Sequence, residues 1–445
     1  MENAISQNFK FSSLIRFTIP SIVMLIFMAA YGIADGVFIA RFINTDALSS
    51  FNIIYPFINL VIGIGVMLAN GGSALIAKKL GELKENEAKQ NFTLLITTGV
   101  VIGVIIGLIG YIFSDKIIYL LGSTEELYTY CRYYLLMSLI FVPFYILNLL
   151  YQMLTITAGK PKIGLILTVI GGSANIILDY VFLVSMNMGI LGTALATGLG
   201  NLIPALFGTL YFFKNKETLY FVKPKFDLDF LVKSCINGSS EMVANISTGI
   251  TTMLFNIVLI EYLGSDGVAA ISIILYGQFL ITSIYIGFSS GVAPVISYNY
   301  GEQNKKQIKK VIRYSFIFII SISLISYILS MVMASNIIEI FSSKGSNVYL
   351  IGYNGFILFG VSFLIAGINI FITAMFTAFS NGKVSAIISF LRTFVFIACG
   401  ILILPKFFNI TGIWISVPIA EFLAAIISIT YAYKYKDIYG YGKII

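Results

Sequence analysis

The chain is 445 residues long, 58% hydrophobic and only 11% charged, where soluble domains average about 25% charged residues. A soluble fold of this length cannot hide so much apolar surface, whereas the bilayer accepts it as solvent, so a soluble enzyme is excluded. The net charge of +8 would point to nucleic acid in a soluble protein. Here the basic residues collect in particular loops between apolar runs, and no nucleic-acid partner is expected.

A span needs roughly twenty mostly apolar residues. In chain order, apolar runs fall at 15–42, 47–77, 93–113, 130–156, 162–184 and 189–213, then at 234–262, 267–298, 311–334, 348–378, 384–404 and 412–433. The polar start, Met1 to Ser13, runs into an apolar stretch too long for a signal-peptide core and without a small-residue cleavage pattern, so the first span is read as retained. The termini and the loops after even-numbered spans carry most of the lysine, including Lys78, Lys79, Lys84, Lys160, Lys223, Lys305, Lys306, Lys309, Lys310, Lys436 and Lys443. The opposite loops hold only Arg41, Lys116, Arg132, Lys344 and Lys406. The asymmetry predicts a multi-pass protein of the cell membrane with both termini cytoplasmic.

The chain repeats itself. At an offset of 220 residues Asp46 falls on Asp266, Gly71 on Gly291, Gly81-Glu82 on Gly301-Glu302, Lys89 on Lys309 and Gly192 on Gly412. Each half has an even number of spans, so the repeats share one orientation. The expected fold is an all-α integral membrane protein of twelve transmembrane helices, in two six-helix bundles related by a pseudo-two-fold axis along the membrane normal. The halves are 1–213 and 234–445, joined by a cytoplasmic linker, 214–233. Such a bundle binds its substrate between the halves and rocks around it. Pro20, Pro56, Pro143, Pro204, Pro294 and Pro418 fall inside spans, where each removes a backbone hydrogen bond.

The chemistry available is narrow. There is no histidine, and Cys131, Cys235 and Cys399 lie far apart, as reduced structural thiols do. Neither a metal cluster nor a nucleophilic dyad is present to support a membrane-embedded enzyme. Intramembrane charge is the exception, since a charged side chain at the centre of a span costs roughly 2.5–3.5 kcal/mol on insertion scales. Asp35 and Asp179 sit about 10 Å and 9 Å from the outer ends of spans one and five at 1.5 Å per residue. Asn175 shares a helix face with Asp179, and Thr193 shares one with Thr197. These groups, at similar depth, are candidates for an oxygen cage around a small cation, or for two carboxylates sharing a proton. Glu241, Arg392 and Glu421 form a second buried charge network, in which Arg392 pairs structurally with one of the two glutamates. Asp46 and Asp266 are read as helix caps.

Several runs resemble the multidrug and toxic compound extrusion (MATE) family across nearly the whole chain. They are 171–183 (GGSANIILDYVFL), the Gly-x-x-x-Ala-x-Thr run at 189–197, Asp35 with Gly36-Val37-Phe38, Leu391-Arg392, Gly412-Ile413-Trp414, and Pro418-x-x-Glu421. The likeness is greatest to Mep-type bacterial members. It implies a secondary active exporter of hydrophobic and cationic compounds in exchange for Na⁺ or H⁺, with no cofactor beyond that ion. The DinF-like branch has an N-terminal cation site whose pattern falls on Asp35, Asn175, Asp179 and Thr197, with a backbone contribution near Thr193. That set is the expected Na⁺ site. Another branch keeps acids in spans seven and ten. Glu241 stands in the first position, but span ten offers only Asn354 and Asn369.

The expected substrates are amphipathic cations, held in a cleft walled by Tyr31, Tyr55, Met153, Met253, Tyr276 and Tyr285, since aromatic faces attract cations and methionine adapts to varied shapes. The chain is expected to work as a monomer in the bilayer. The alternative is a flippase of lipid-linked saccharides from the same superfamily. It would need several cationic groups for a pyrophosphate, whereas one buried arginine faces four acids. A major-facilitator carrier would show a Gly-Arg-rich second loop, which 78–92 lacks.

Overall fold

The computed structural model describes residues 4–43 and 45–442, and among them there is no β-strand. Because hydrocarbon offers no hydrogen bonds, the backbone satisfies itself within helices. The first half holds α1 (Phe11–Phe42), α2 (Thr45–Gly81), α3 (Glu85–Ile112), the short α4 (Ser114–Leu120), α5 (Glu125–Thr157), α6 (Pro161–Asp179) and α7 (Gly189–Lys214). The second half begins with α8 (Leu228–Gly301), which Gly264 at φ 64° divides into two limbs. It continues with α9 (Lys305–Glu339), α10 (Asn347–Gly360), α11 (Phe363–Ala378), α12 (Gly382–Phe390), α13 (Phe396–Ile403) and α14 (Pro405–Tyr435).

Twelve crossings result. Ten helical stretches are long and apolar enough to span, and one of them is the two-limbed α8. The twelfth is α10 with α11, a single span bent by 51°. Helices run past the apolar stretches by up to about two turns, because Glu and Lys are good helix formers. Glu85 and Glu87 open α3, and Glu125 and Glu126 open α5, where acids suit the helix dipole. Side chains of Asp227, Asn304, Ser346 and Asn381 cap α8 to α10 and α12 by accepting from backbone N–H groups. Asp46 lies in the first turn of α2. The bend and the short α4 leave no mark in hydropathy. Neither do two π-helical stretches, Tyr180–Ser185 after α6 and Leu391–Val395 between α12 and α13. Lys443 lies outside the described residues.

The repeat is visible in the backbone. Left-handed residues recur at matching places: Leu83 and Gln303 are 220 apart, as are Gly189 and Asn409, and Gly159 and Ser380 are 221 apart. They end or open equivalent helices, where one left-handed residue turns the chain. The contact between the halves is itself symmetric. A Cβ added to Gly81 would strike the Tyr298 carbonyl, and one added to Gly301 would strike that of Lys78. These two contacts are interchanged by the same 220-residue shift.

Both seams close at the end that carries the termini. α2 meets the first limb of α8 at Gly71 and Gly238, each against the other helix's backbone, and α1 meets the second limb where Gly287 faces Ser21 and Ile22. Asn237 ties this end together by donating to Thr377 O at 2.9 Å and to Gly71 O at 3.5 Å. One helical face of α2 touches the first limb at Gly71, Met67 and Gly63. The same face continues through Leu60 and Pro56, which are exposed. On the first limb Gly249 has nothing within 4 Å and Met253 is 63% exposed. The seam therefore opens toward the end away from the termini.

Candidate functional site

Beside the open seam, α1, α6 and α7 carry the five predicted residues, and the structure brings Asp35 to Asp179 and sets Asn175 and Thr197 on one cavity. Asp179 is fully buried at the last α-helical position before the π-helical stretch. Asn175 is buried one turn earlier, and α7 carries Thr193, which is buried, and Thr197, which lines one cavity with Asn175. Asp35 of α1 lies within direct interaction reach of Asp179. Asp35 Oδ1, Asn175 Oδ1, both Asp179 carboxylate oxygens and the hydroxyls of Thr193 and Thr197 are all buried without a hydrogen-bond partner. Buried polar atoms are nearly always paired, so these unpaired oxygens, with the Asp35 and Asp179 carboxylates side by side, suit an electropositive guest. The donor set is all oxygen, with two carboxylates, which suits a hard monovalent cation or a proton. A transition-metal site would draw on nitrogen or sulfur, and no group of three His, Cys, Asp or Glu is found among the described residues.

Close packing holds the cage. Gly200 of α7 meets the Asn175 side chain, and Gly171 meets the Gly200 carbonyl. These glycines let α6 and α7 approach so that their polar groups face one another. Tyr31, Tyr55, Tyr134 and Tyr145 all lie within electrostatic reach of Asp35. A small cavity of about 20 Å³ adjoins the cage, lined by Tyr31, Tyr145, Asn148, Gln152, Asn175, Thr197 and Asn201 among others. Along it Asn148 Nδ2 donates to Asn201 Oδ1 at 2.9 Å, and Asn201 Nδ2 donates to Thr197 O at 2.8 Å. Sequence reasoning missed Tyr134, Tyr145, Asn148, Gln152 and Asn201. The available signal was the i, i+4 spacing of Asn148 with Gln152 and of Thr197 with Asn201.

The proposed cleft residues separate. Tyr55 and Tyr276 are 45% and 41% exposed, Tyr276 stacks on Phe341, and its hydroxyl lies 4.0 Å from where a Cβ on Gly36 would stand. Together with Met253 they lie on open stretches of their helices. Tyr31 belongs to the cage cavity instead, and Met153 packs against the core. Tyr285 is not a wall residue: it is fully buried, and its hydroxyl donates to Phe363 O at 3.0 Å. That bond satisfies the phenol inside the bundle, so the ring is packing.

In the second half Arg392 pairs with Glu421, both its Nε and its second amino nitrogen lying 2.9 Å from Glu421 Oε1. Asn369 Nδ2 donates to Glu421 Oε2 at 2.7 Å and to the Glu421 carbonyl at 2.9 Å. Glu241 forms no ion pair among the described residues, although it lies within electrostatic reach of Arg392. Ser389 Oγ, close to Arg392 in sequence, donates to Ser240 O at 2.7 Å and fixes α12 against that stretch of α8. Glu421→Ala leaves a buried guanidinium without its partner and is expected to cost about 3–5 kcal/mol, read as a lower melting temperature in detergent. Arg392→Met with Glu421→Leu is expected to recover most of that loss.

The family model MatE matches residues 20–181 and again 242–402, segments that coincide with the two repeats. The chain belongs to the MatE family, whose members are transporters and not enzymes. It is 26% identical over 433 residues to "Multidrug export protein MepA" of Staphylococcus saprophyticus, covering 96% of this chain and 94% of the relative. The identity to the protein of that name from Staphylococcus haemolyticus is also 26%, over 429 residues with the same coverage. Among solved structures, a MATE in complex with MaL6 superposes with a TM-score of 0.92 at 20% identity, covering 99% of both chains. An outward-facing multidrug resistance MATE transporter of the MOP superfamily superposes at 0.90 and 20% identity, covering 96% of both.

Proposed function

We propose that the chain is a secondary active multidrug exporter that exchanges amphipathic cations for Na⁺ or H⁺ across the cell membrane, working as a monomer. The observation that carries this reading is the pair of adjacent buried carboxylates, Asp35 and Asp179, whose oxygens are unpaired like those of Asn175, Thr193 and Thr197. Two adjacent buried carboxylates repel each other and are costly to ionise away from solvent, and a cation or proton relieves both costs. The multidrug export named for the MepA relatives is in keeping with a cleft that exposes Tyr55, Tyr276 and Met253. The basic end, with both termini, is the cytoplasmic one. The halves 1–213 and 234–445 rock as two bodies about the linker 214–233. The flippase reading is weaker, because the one intramembrane arginine is already engaged by Glu421.

In the cycle, the ion enters from the outside and neutralises Asp35 and Asp179. α1 then packs more closely on α6, and the drug's contacts at the seam are lost. The halves reorient, the ion leaves to the cytoplasm, and the next drug binds. Everted vesicles containing the chain are expected to accumulate a cationic dye when a Na⁺ or proton gradient is imposed separately, and one gradient alone should suffice. Dye uptake unaffected by either gradient, or transport confined to lipid-linked saccharides, would overturn the proposal.

A further inference from the structure

The repeat that builds the two halves reverses in charge where α3 and α9 begin. α3 opens with Glu85, Asn86 and Glu87, whereas at the 220-residue offset α9 opens with Lys305, Lys306 and Gln307. Around the α2–α3 turn the lysines are answered: Lys79 pairs with Glu87 at 2.7 Å, Lys84 with Glu82 at 2.9 Å, and Lys89 with Glu85 at 3.3 Å. In the second half neither Lys306, Lys310 nor Arg313 has a carboxylate within 4.0 Å among the described residues. A basic first turn also works against the helix dipole, so helix stability does not account for it.

The position of these charges on α9 indicates what they face. Lys306, Lys310, Arg313, Ile317, Ile320 and Leu324 follow one another at intervals of three or four residues, and all are exposed. They form one stripe, basic at its first turns and apolar below. From Arg313 to Leu324 is roughly 16 Å at 1.5 Å per residue, close to the ~15 Å hydrocarbon depth of one leaflet. A soluble anion needs the basic part alone. Orientation of the chain requires only that the charges lie in the loop, not that they stack above an apolar face.

We infer that this face of α9 is a binding site for an anionic phospholipid, whose phosphate lies among Lys306, Lys310 and Arg313 and whose acyl chains lie along Ile317, Ile320 and Leu324. The inference stands apart from the drug and ion sites. The lipid contacts only the second half, at the end where the two halves meet.

The test uses the purified, delipidated full chain in detergent, with bound lipid counted by native mass spectrometry. Phosphatidylglycerol and phosphatidylcholine of identical acyl chains are titrated separately, and glycerol phosphate is added as the soluble headgroup. Each basic residue facing an anionic headgroup is worth about five-fold in affinity. Phosphatidylglycerol is therefore expected to bind more than about tenfold tighter than phosphatidylcholine. The triple variant Lys306→Gln, Lys310→Gln, Arg313→Gln should lose that preference, and Arg313→Gln alone, which perturbs folding least, should lose about five-fold. Lys79→Gln with Lys84→Gln, in the paired loop, should keep it. Equal binding of the two lipids to the natural chain, or a preference surviving Arg313→Gln at full strength, overturns the site. Displacement of the lipid by equimolar glycerol phosphate overturns the lipid in favour of a soluble anion.

Discussion

Asp35→Asn and Asp179→Asn are each expected to abolish gradient-driven efflux while leaving protein level and membrane insertion intact. An ion can shift a conformational equilibrium only by its difference in affinity for the two states, and moving it from 1:99 to 99:1 takes about 10⁴-fold. Two adjacent buried carboxylates can supply that difference, and an amide in place of either is expected not to. The variants should also separate function from packing. Each carries one buried charge fewer and should be as stable as the natural chain, or more so, when no coupling ion is bound. The natural chain should gain thermal stability with rising Na⁺ or falling pH, in proportion to the logarithm of ion over Kd, and both variants should lose that gain. Glu241→Gln should cost less. Normal transport by both aspartate variants, with failure of the Glu241 variant, would move the coupling site to the second half.

Gly238→Ala is expected to be nearly as damaging, by a different route. The added methyl would meet the Met67 carbonyl, and no flexible side chain is there to give way. Overpacking of this kind costs about 1–3 kcal/mol in a close-packed interior, and here the cost falls only on the state in which this end is closed. The population should therefore shift toward the state open at the terminal end by about 5- to 150-fold. Spin labels across the α2–α8 seam should show a longer distance at the terminal end and a shorter one at the other, with transport reduced to match. Gly249→Ala is the control, because nothing lies within 4 Å of its Cβ position. If Gly238→Ala transports normally, the seam does not close as described.

The candidate cage could be read from the sequence because intramembrane carboxylates are costly and therefore rare, and depth along a helix follows from counting residues. Asp35, Asn175, Asp179, Thr193 and Thr197 could be placed at one height without knowing how the helices pack. The second half supports that placement by contrast: at the repeat offsets Asp35 falls on Phe255, Asn175 on Phe396, Asp179 on Gly400 and Thr197 on Val417. Residues whose role depends on a partner in another helix were not legible in the same way. Arg392 had two acids at suitable depth, and only packing places Glu421 against it at 2.9 Å. Tyr285 carries the same aromatic hydroxyl as Tyr276, yet one is core and the other half-open.

By itself the sequence determined the number of crossings, their order, the repeat and the charge asymmetry between the two ends. Each follows from a constraint that acts along the chain: the thickness of the hydrocarbon, the need to satisfy every backbone group within a helix, and the charge of the loops. Only the tertiary structure decided which way each helix faces. In water a helix shows its buried side by an apolar stripe. In a bilayer the lipid-facing and core-facing sides are both apolar, and helices associate through small residues and close packing instead. Rotation about the helix axis is therefore left open by hydropathy. It is settled by contacts such as Gly172 of α6 on Phe27 and Tyr31 of α1, and Gly367 on the Tyr285 ring, and these turn Asp35 and Asp179 toward each other and Tyr285 into the core.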